Sequence, residues 1–154
     1  MNEVCQQAEE FLNAIFQSAG FALHATTEAL DAQNCVLDID GADASLLLSE
    51  SGEFLEALQH LLNQTYGRKL PQSARIICDV QNFRATREAE LRAMARHAAE
   101  RVRATGVPFT FAPMNANERR VIHLSLAEAE DLFTESIGEG ASRRIKVSFT
   151  PPTK

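Results

Sequence analysis

Arg119 and His123 are the two residues of this sequence whose types and spacing best suit recognition of a ligand. They lie four positions apart in a segment with a helical pattern, and residues at that spacing share one helical face. A guanidinium binds phosphate through a planar set of donors, and an imidazole can stack on a base or exchange hydrogen bonds with it. The pair therefore favours binding of phosphate and bases over catalysis. Spacing alone leaves a second interpretation open, in which both are ordinary solvated side chains of a surface helix.

The helix that carries this pair is predicted to begin at Asn115, three positions before Glu118, in an arrangement close to a capping box. The positive end of the helix dipole then lies one turn from Arg119 and adds to its attraction for anions. The side predicted to face a core consists of Val121, Ile122, Ser125 and Ala129. Arg119 and His123 are predicted to point roughly the opposite way, with Arg120 about 60–100° further round the helix.

The whole chain has the pattern of two successive α+β units. Apolar residues at helical spacing or in alternation predict, in the first half, the order helix, strand, strand, helix, helix, strand. The predicted segments there are 4–19, 21–26, 35–40, 46–48, 54–65 and 74–81. In the second half the segments are a helix at 83–105, a strand at 109–112, the helix after Asn115, and strands at 132–137 and 144–149. We predict two domains, residues 1–82 and 83–154.

Composition and charge indicate a soluble globular protein with an acidic first half and a basic second half. The chain has 154 residues, 45% of them hydrophobic and 23% charged, which is typical of a soluble globular protein. The net charge of −6 is unevenly distributed: residues 1–83 carry three basic and twelve acidic side chains, and residues 84–154 carry twelve basic and nine acidic ones. Any polyanion is therefore expected to bind the second half.

The cysteines and the N-terminal residues indicate the cellular compartment of the protein. Cys5, Cys35 and Cys78 are odd in number and lie at apolar-patterned positions, which predicts buried free thiols and a reducing cytoplasm. No apolar run reaches the roughly 18 residues of a membrane span, and the acidic N-terminus does not resemble a signal peptide. We expect a cytoplasmic protein that does not insert into a membrane.

Further basic residues are candidates for the same nucleic-acid site. Arg92, Arg96 and Arg103 fall within roughly 40° of one another on the long helix and could follow a phosphate backbone. Arg143, Arg144 and Lys146 are expected to flank the pair. The row on the long helix could equally be a plain solvated face, because Glu88 and Glu100 lie beside it.

An ordered run of motifs then resembles a known family. The motifs are Asn82-Phe83-Arg84 followed by Arg87-Glu88, Thr105-Gly106-Val107-Pro108, the segment from Pro113 to His123, Ser136-Ile137-Gly138-Glu139-Gly140 and Arg144-Ile145-Lys146-Val147. Together they resemble the bacterial KH–R-3-H proteins of the Jag, or SpoIIIJ-associated, family. The resemblance implies that residues 83–154 are an R-3-H domain, named for the Arg and His that stand here at Arg119 and His123. It also implies a small α+β fold with a three-stranded sheet that binds single-stranded nucleic acid, chiefly RNA.

The same resemblance implies that residues 1–82 are a type II KH-like domain of order α-β-β-α-α-β. A KH domain holds RNA with a Gly-x-x-Gly loop, and Ser49, Glu50, Ser51 and Gly52 stand at that place. One glycine is missing and Glu50 repels phosphate, so this half is expected to have lost most of its RNA affinity. The family's N-terminal Jag domain is expected to be absent.

The leading hypothesis is an RNA-binding protein. The expected contact residues are Arg119, His123, Arg120, Asn115, Arg92, Arg96, Arg144 and Lys146. Single-stranded DNA is a further possible ligand, and no metal or cofactor is expected. The alternative is an adaptor whose acidic half docks a protein, with another small KH-domain protein as the candidate partner. Catalysis is disfavoured, because His24, His60, His97 and His123 are scattered and no nucleophile motif or metal-ligand spacing accompanies them.

Overall fold

The structure is a computed structural model that describes residues 2–28 and 34–150. The chain divides into two compact units, Met1–Arg84 and Ala85–Lys154. Each unit has its own three-stranded sheet and its own buried apolar cluster, which confirms the α+β class. Among the described residues no helix combines the length and the apolar character that crossing a membrane requires.

The first unit follows the predicted order of elements. They are α1 (Asn2–Ala19), β1 (His24–Thr27), β2 (Cys35–Asp40), α2 (Ala44–Leu48), α3 (Glu53–Tyr66) and β3 (Ile76–Asp79). Short 3-10 turns, Ser49–Gly52 and Gly67–Lys69, follow α2 and α3. Strand β2 is central, antiparallel to β1 and parallel to β3. A parallel pair needs a long crossover connection, and α2 and α3 supply it here.

One face of this first sheet is buried against the helices. The largest fully buried side chains of the unit include Leu12, Phe16, Leu37, Leu62 and Ile76. Successive side chains of a strand alternate between faces, so the residues between the buried ones point away from this core. Asp38 of β2 is one of these, and it lies directly opposite Asp79 of β3.

Strand β1 begins at His24, later than the predicted start at Phe21. The backbone N–H of Phe21 donates to the carbonyl of Phe16 at 2.9 Å, which closes the end of α1. The N–H of Ala22 donates to the carboxylate of Asp43 at 2.7 Å. These bonds occupy the backbone that would otherwise pair with β2.

The three cysteines are buried, as predicted, but they are not all free. Cys5 of α1 and Cys35 of β2 form a disulfide, since packing of the helix on the strand brings their Cα atoms to 5.8 Å. Cys78 is a free thiol whose pKa is raised by burial to about 12. The prediction of free thiols is therefore wrong for Cys5 and Cys35, which meet across 30 positions of sequence. The compartment inferred from free thiols loses that support.

The second unit contains most of the longest helix and the second sheet. Its elements are α4 (Phe83–Thr105, starting in the first unit), β4 (Phe109–Thr110), α5 (Ala116–Leu126), β5 (Leu132–Ile137) and β6 (Arg144–Phe149). The bounds of α4, β5 and β6 agree with the predicted segments, whereas β4 ends before the predicted residue 112. The sheet order is β4-β6-β5 and all neighbours are antiparallel, which confirms the predicted three-stranded sheet.

Both helices of this unit pack on the same face of the second sheet. Leu132, Ile145 and Val147 of the strands form one apolar cluster with helix residues such as Leu91 and Ile122. The alternate strand residues point the other way. That other face is not covered by a helix in the described part of the unit.

Candidate nucleic-acid interface

Helix α5 is fixed by a cap and by a buried ion pair. The side-chain oxygen of Asn115 accepts a hydrogen bond from the backbone N–H of Glu118 at 2.9 Å, which confirms the predicted cap. The carboxylate of Glu118, only 6% exposed, accepts a bond of 2.7 Å from Nε of Arg87 in α4. Burial opposes the charge on Arg87, but its hydrogen bonds to Glu118 and Glu90 raise its pKa. The ion pair joins α5 to α4.

The buried side of α5 differs from the predicted one. Ile122 is buried as predicted, and Val121 and Ala129 pack against the core, but Ser125 is exposed, and the other fully buried residues are Glu118 and Leu126. At 100° per residue, Arg119 and His123 therefore flank the buried side rather than oppose it. The reason is that Arg87 gives Glu118 a partner in the core, which lets a charged residue be buried.

Arg119 is half-buried and held in place by the backbone. Its Nη1 donates to the carbonyl of Met114 at 2.7 Å. The N–H of Met114 donates in turn to the carbonyl of Arg143 at 3.1 Å. The guanidinium is therefore oriented before a ligand arrives, which lowers the entropic cost of binding.

His123 is exposed and contacts the sheet. Its Nδ1 is hydrogen-bonded to Oγ1 of Thr134 in β5. Ser136 lies two positions further along the same face of β5, and its Oγ accepts a bond of 3.0 Å from Nε of Arg143. These contacts form a closed circuit from α5 through β5 and Arg143 back to Arg119. We term the surface made by Arg119, His123 and Arg143 the basic surface.

Arg120 lies at the margin of the basic surface. It is exposed, and its side chain makes no hydrogen bond or ion pair with any residue in the ranges 2–28 and 34–150. It follows Arg119 by about 100° around α5. Its charge can add attraction for an anion at longer range.

The predicted row on α4 is not part of the basic surface. Arg92 is ion-paired with Glu88, and Arg103 binds Asp131 through bonds of 2.7 and 2.8 Å. Arg96 is exposed. The row lies roughly 140–180° around α4 from the arginine that contacts α5. Two of its three charges are thus offset, and the row points away from the contact with α5.

Arg144 and Lys146 lie on the opposite face of the sheet. They alternate along β6 with Ile145 and Val147, which face the helices. Lys146 forms an ion pair of 3.1 Å with Glu135 across from it in β5. The prediction that Arg144 and Lys146 flank the same site as the α5 pair is therefore wrong. Arg143 is the neighbouring cation that the structure brings there.

The predicted degenerate loop lies in the first unit as the 3-10 turn Ser49–Gly52 between α2 and α3. Glu50 and Ser51 have left-handed φ values of 49° and 57°, and Gly52 has a φ of 80°. A Cβ at Gly52 would lie 2.5 Å from Cε1 of Phe83, so close packing as well as φ requires glycine there. Glu50 is exposed.

The basic surface offers hydrogen-bond donors and an exposed imidazole ring. The carboxylate of Glu118, five positions before His123, is occupied by Arg87. Within the described ranges, no three His, Cys, Asp or Glu side chains are grouped so that they could hold a metal ion. The arrangement suits binding of an anion beside an exposed ring.

Comparison with known proteins identifies the second unit. Residues 89–149 match the family model of the R-3-H domain, so the helices and sheet that carry the basic surface are similar to that domain family. The chain is also similar to curated proteins named RNA-binding protein KhpB. It is 28% identical over 93% of its length to the one from Clostridium symbiosum, of which it covers 65%. It is 28% identical over 93% of its length to the one from Bacillus subtilis (strain 168), of which it covers 69%.

A third relative is the RNA-binding protein KhpB of Lactiplantibacillus plantarum. The chain is 30% identical to it over 73% of the chain, which covers 35% of that protein. The chain thus spans about two thirds of the length of the first two relatives and about a third of this one. The matches confirm the resemblance to the Jag family.

Proposed function

We propose that this protein binds single-stranded RNA through the basic surface and that it is not an enzyme. The observation that carries the proposal is the circuit of hydrogen bonds that holds Arg119, His123 and Arg143 together. Guanidinium groups bind phosphates, and an exposed ring can stack on a base of a single strand. The names of the KhpB relatives support the same ligand. An RNA ligand favours a cytoplasmic location, which we propose on that ground.

The number of cations at the basic surface sets the character of the binding. Few phosphates can be neutralised at once, so the affinity should be modest and should fall as salt rises. Stacking requires a base that is not already paired, which favours single strands over duplexes. Single-stranded DNA offers the same phosphates and bases and is a second ligand for the same site.

The proposal is tested by fluorescence anisotropy with a labelled uridine dodecamer. Arg119→Ala and His123→Ala should each weaken binding about tenfold, because each removes a charge-assisted bond or a stacking partner. Arg92→Ala is the matched control, since its charge is already offset by Glu88. If both α5 variants bind like the parent, the site is not where we propose.

We also propose that residues 1–82 are a type II KH-like domain whose RNA loop is weakened. The element order and the position of the turn Ser49–Gly52 between two helices support this. Phe83 packs on the same core, and Nε of Arg84 donates to the carbonyl of Cys78 at 2.8 Å, so the isolated domain would need both residues. If only charge disables the loop, Glu50→Lys should strengthen RNA binding. An unchanged affinity would mean that the loop is lost for other reasons.

The alternative function, docking of a protein, is favoured by the outer face of the first sheet. Asp38 lies opposite Asp79 in the sheet, and burial and then the neighbouring carboxylates Glu28, Asp79 and Asp40 raise the pKa of Asp38. Such a face repels RNA and suits a basic protein. The family resemblance suggests another small KH-domain protein as the partner. Asp40→Lys should then abolish capture of that protein while RNA binding persists, and retained capture would contradict docking on this face.

A further inference from the structure

The outer face of the second sheet, turned away from α4 and α5, combines an exposed aromatic ring with cations. The cross-strand register pairs Phe133 with Ser148, Glu135 with Lys146 and Ile137 with Arg144. Residues paired across an antiparallel sheet share one face, and here it is the face opposite Leu132, Ile145 and Val147. Thr110 of β4 lies beside Lys146 on the same side.

We propose that this outer face is a second contact surface for the RNA strand bound at the basic surface. The proposal rests on the proposed function and extends it to a second set of residues. Phe133 would stack a base, and Lys146 and Arg144 would contact the adjoining phosphates. A sheet face that presents an aromatic ring beside cations is a recurrent platform for single-stranded RNA.

Exposure of Phe133 is the first support. Its side chain is 45% exposed on an open sheet face, and no helix of the described part of the unit covers it. An exposed aromatic ring on an open sheet face loses contact with water when a base stacks on it. The same ring also offers a face that any of the four bases can use, which suits a ligand without strict sequence.

Charge is the second support. Arg144 has no carboxylate within ion-pair distance among the residues that the structure describes, and its Nε donates to the carbonyl of Ser142 at 3.0 Å. Lys146 is paired with Glu135, but both side chains are partly exposed, so the pair is weak enough to be exchanged for a phosphate. The two cations lie in the central strand, where a ligand crossing the sheet must pass.

Continuity with the basic surface is the third support. Strand β5 is an edge strand, and Thr134, which binds His123, faces the helices. Its chain neighbour Phe133 points to the outer face. A strand of RNA that contacts His123 therefore reaches Phe133 by passing around the edge of β5. A long RNA can use both faces, whereas a very short one can use only one.

The test compares a uridine tetramer and a uridine dodecamer by anisotropy on the full chain. Phe133→Leu keeps an apolar side chain but removes the ring, and it should weaken binding of the dodecamer at least about fivefold while changing the tetramer less than twofold. Phe149→Leu is the matched control: that ring is 44% exposed in the same sheet, but its register partner is Leu132, on the face with the helices. It should leave both affinities within about twofold of the parent.

A second readout uses the unaltered protein. Ultraviolet cross-linking of the dodecamer followed by mass spectrometry should place a cross-linked uridine on the peptide that contains Phe133. Parent-like dodecamer binding by Phe133→Leu, or cross-links confined to residues 114–123, would overturn the second surface while leaving the proposed function in place. If Arg119→Ala binds like the parent while Phe133→Leu is weakened, the proposed site fails, and so does the inference that the outer face is a second surface for a strand held there. No binding by the parent would overturn both.

Discussion

Arg87→Ala should destabilise the second unit much more than the loss of an exposed ion pair. The Glu118 side chain is 8% exposed and the Arg87 side chain 26%, so the substitution strands a buried carboxylate that water reaches poorly. Removal of one partner of a buried pair costs about 3–5 kcal/mol. Partial exposure of Arg87 places the expected loss near the lower value, about 3 kcal/mol. The free energy of unfolding of a unit of this size is about 4–10 kcal/mol in total, so α5 should open far more often in the variant.

Hydrogen exchange followed by mass spectrometry on the full chain measures this opening locally. A loss of about 3 kcal/mol corresponds to roughly 150-fold faster exchange of the protected amides of α5. Arg92→Ala is the matched control, because it breaks an ion pair whose side chains are 60% and 48% exposed and should cost no more than about 0.5 kcal/mol. Replacing both partners, with Arg87→Met and Glu118→Leu, should restore most of the protection.

The reasoning would be refuted if Arg87→Ala exchanged no faster than Arg92→Ala. That result would mean that Glu118 is satisfied without its partner in α4. It would also remove the reason given for the orientation of α5, on which the placement of Arg119 depends.

Two further predictions concern the first unit. Asp38→Asn should raise its free energy of unfolding by about 0.5 kcal/mol at neutral pH, since like charges face one another across the strands. A raised carboxyl pKa penalises the charged folded state, so the gain in stability should vanish below pH 3.8, the ordinary pKa of the carboxyl group. Urea titrations at neutral pH and below pH 3.8 check this, with Glu10→Gln as control. An equal gain at the two pH values would contradict the prediction. Without reductant, the denatured protein should show one reactive thiol, that of Cys78. Reduction of the Cys5–Cys35 bond should lower the free energy of unfolding by about 3 kcal/mol. Three reactive thiols in the denatured protein would contradict the pairing.

Segments with strong periodicity could be predicted from sequence, whereas segment ends that are set by a turn hydrogen bond could not. The pattern from Phe83 to Thr105 predicted the observed bounds of α4, because a glycine follows it and apolar residues recur at helical spacing throughout. Strand β3 was predicted from Ala74, but the N–H of Ala74 closes a turn by donating to the carbonyl of Pro71 at 2.8 Å. Such a bond depends on local backbone geometry that alternation of side chains does not encode.

At the basic surface, too, some features could be predicted from sequence and others could not. The spacing of Arg119 and His123 predicted their proximity, but not their hydrogen bonds to other segments. The sequence of β6 carries a signal that the prediction did not use. Arg144 and Lys146 alternate with apolar residues, so they must point away from the face that the helices cover, whereas Arg143 must point toward that face. The bond between Arg87 and its carboxylate partner spans 31 positions and had no local signal.

The salt dependence of RNA binding tests whether RNA is held at the basic surface, and it does so without relying on affinity alone. On a uridine dodecamer, the logarithm of the binding constant should fall with the logarithm of salt by about 0.7 for each phosphate that a cation neutralises. We expect Arg143→Ala to reduce the parent slope by about 0.7 and Arg92→Ala to leave it unchanged. A parent slope retained in Arg143→Ala, or an equal reduction in both variants, would contradict the assignment of the basic surface as the place where RNA is held.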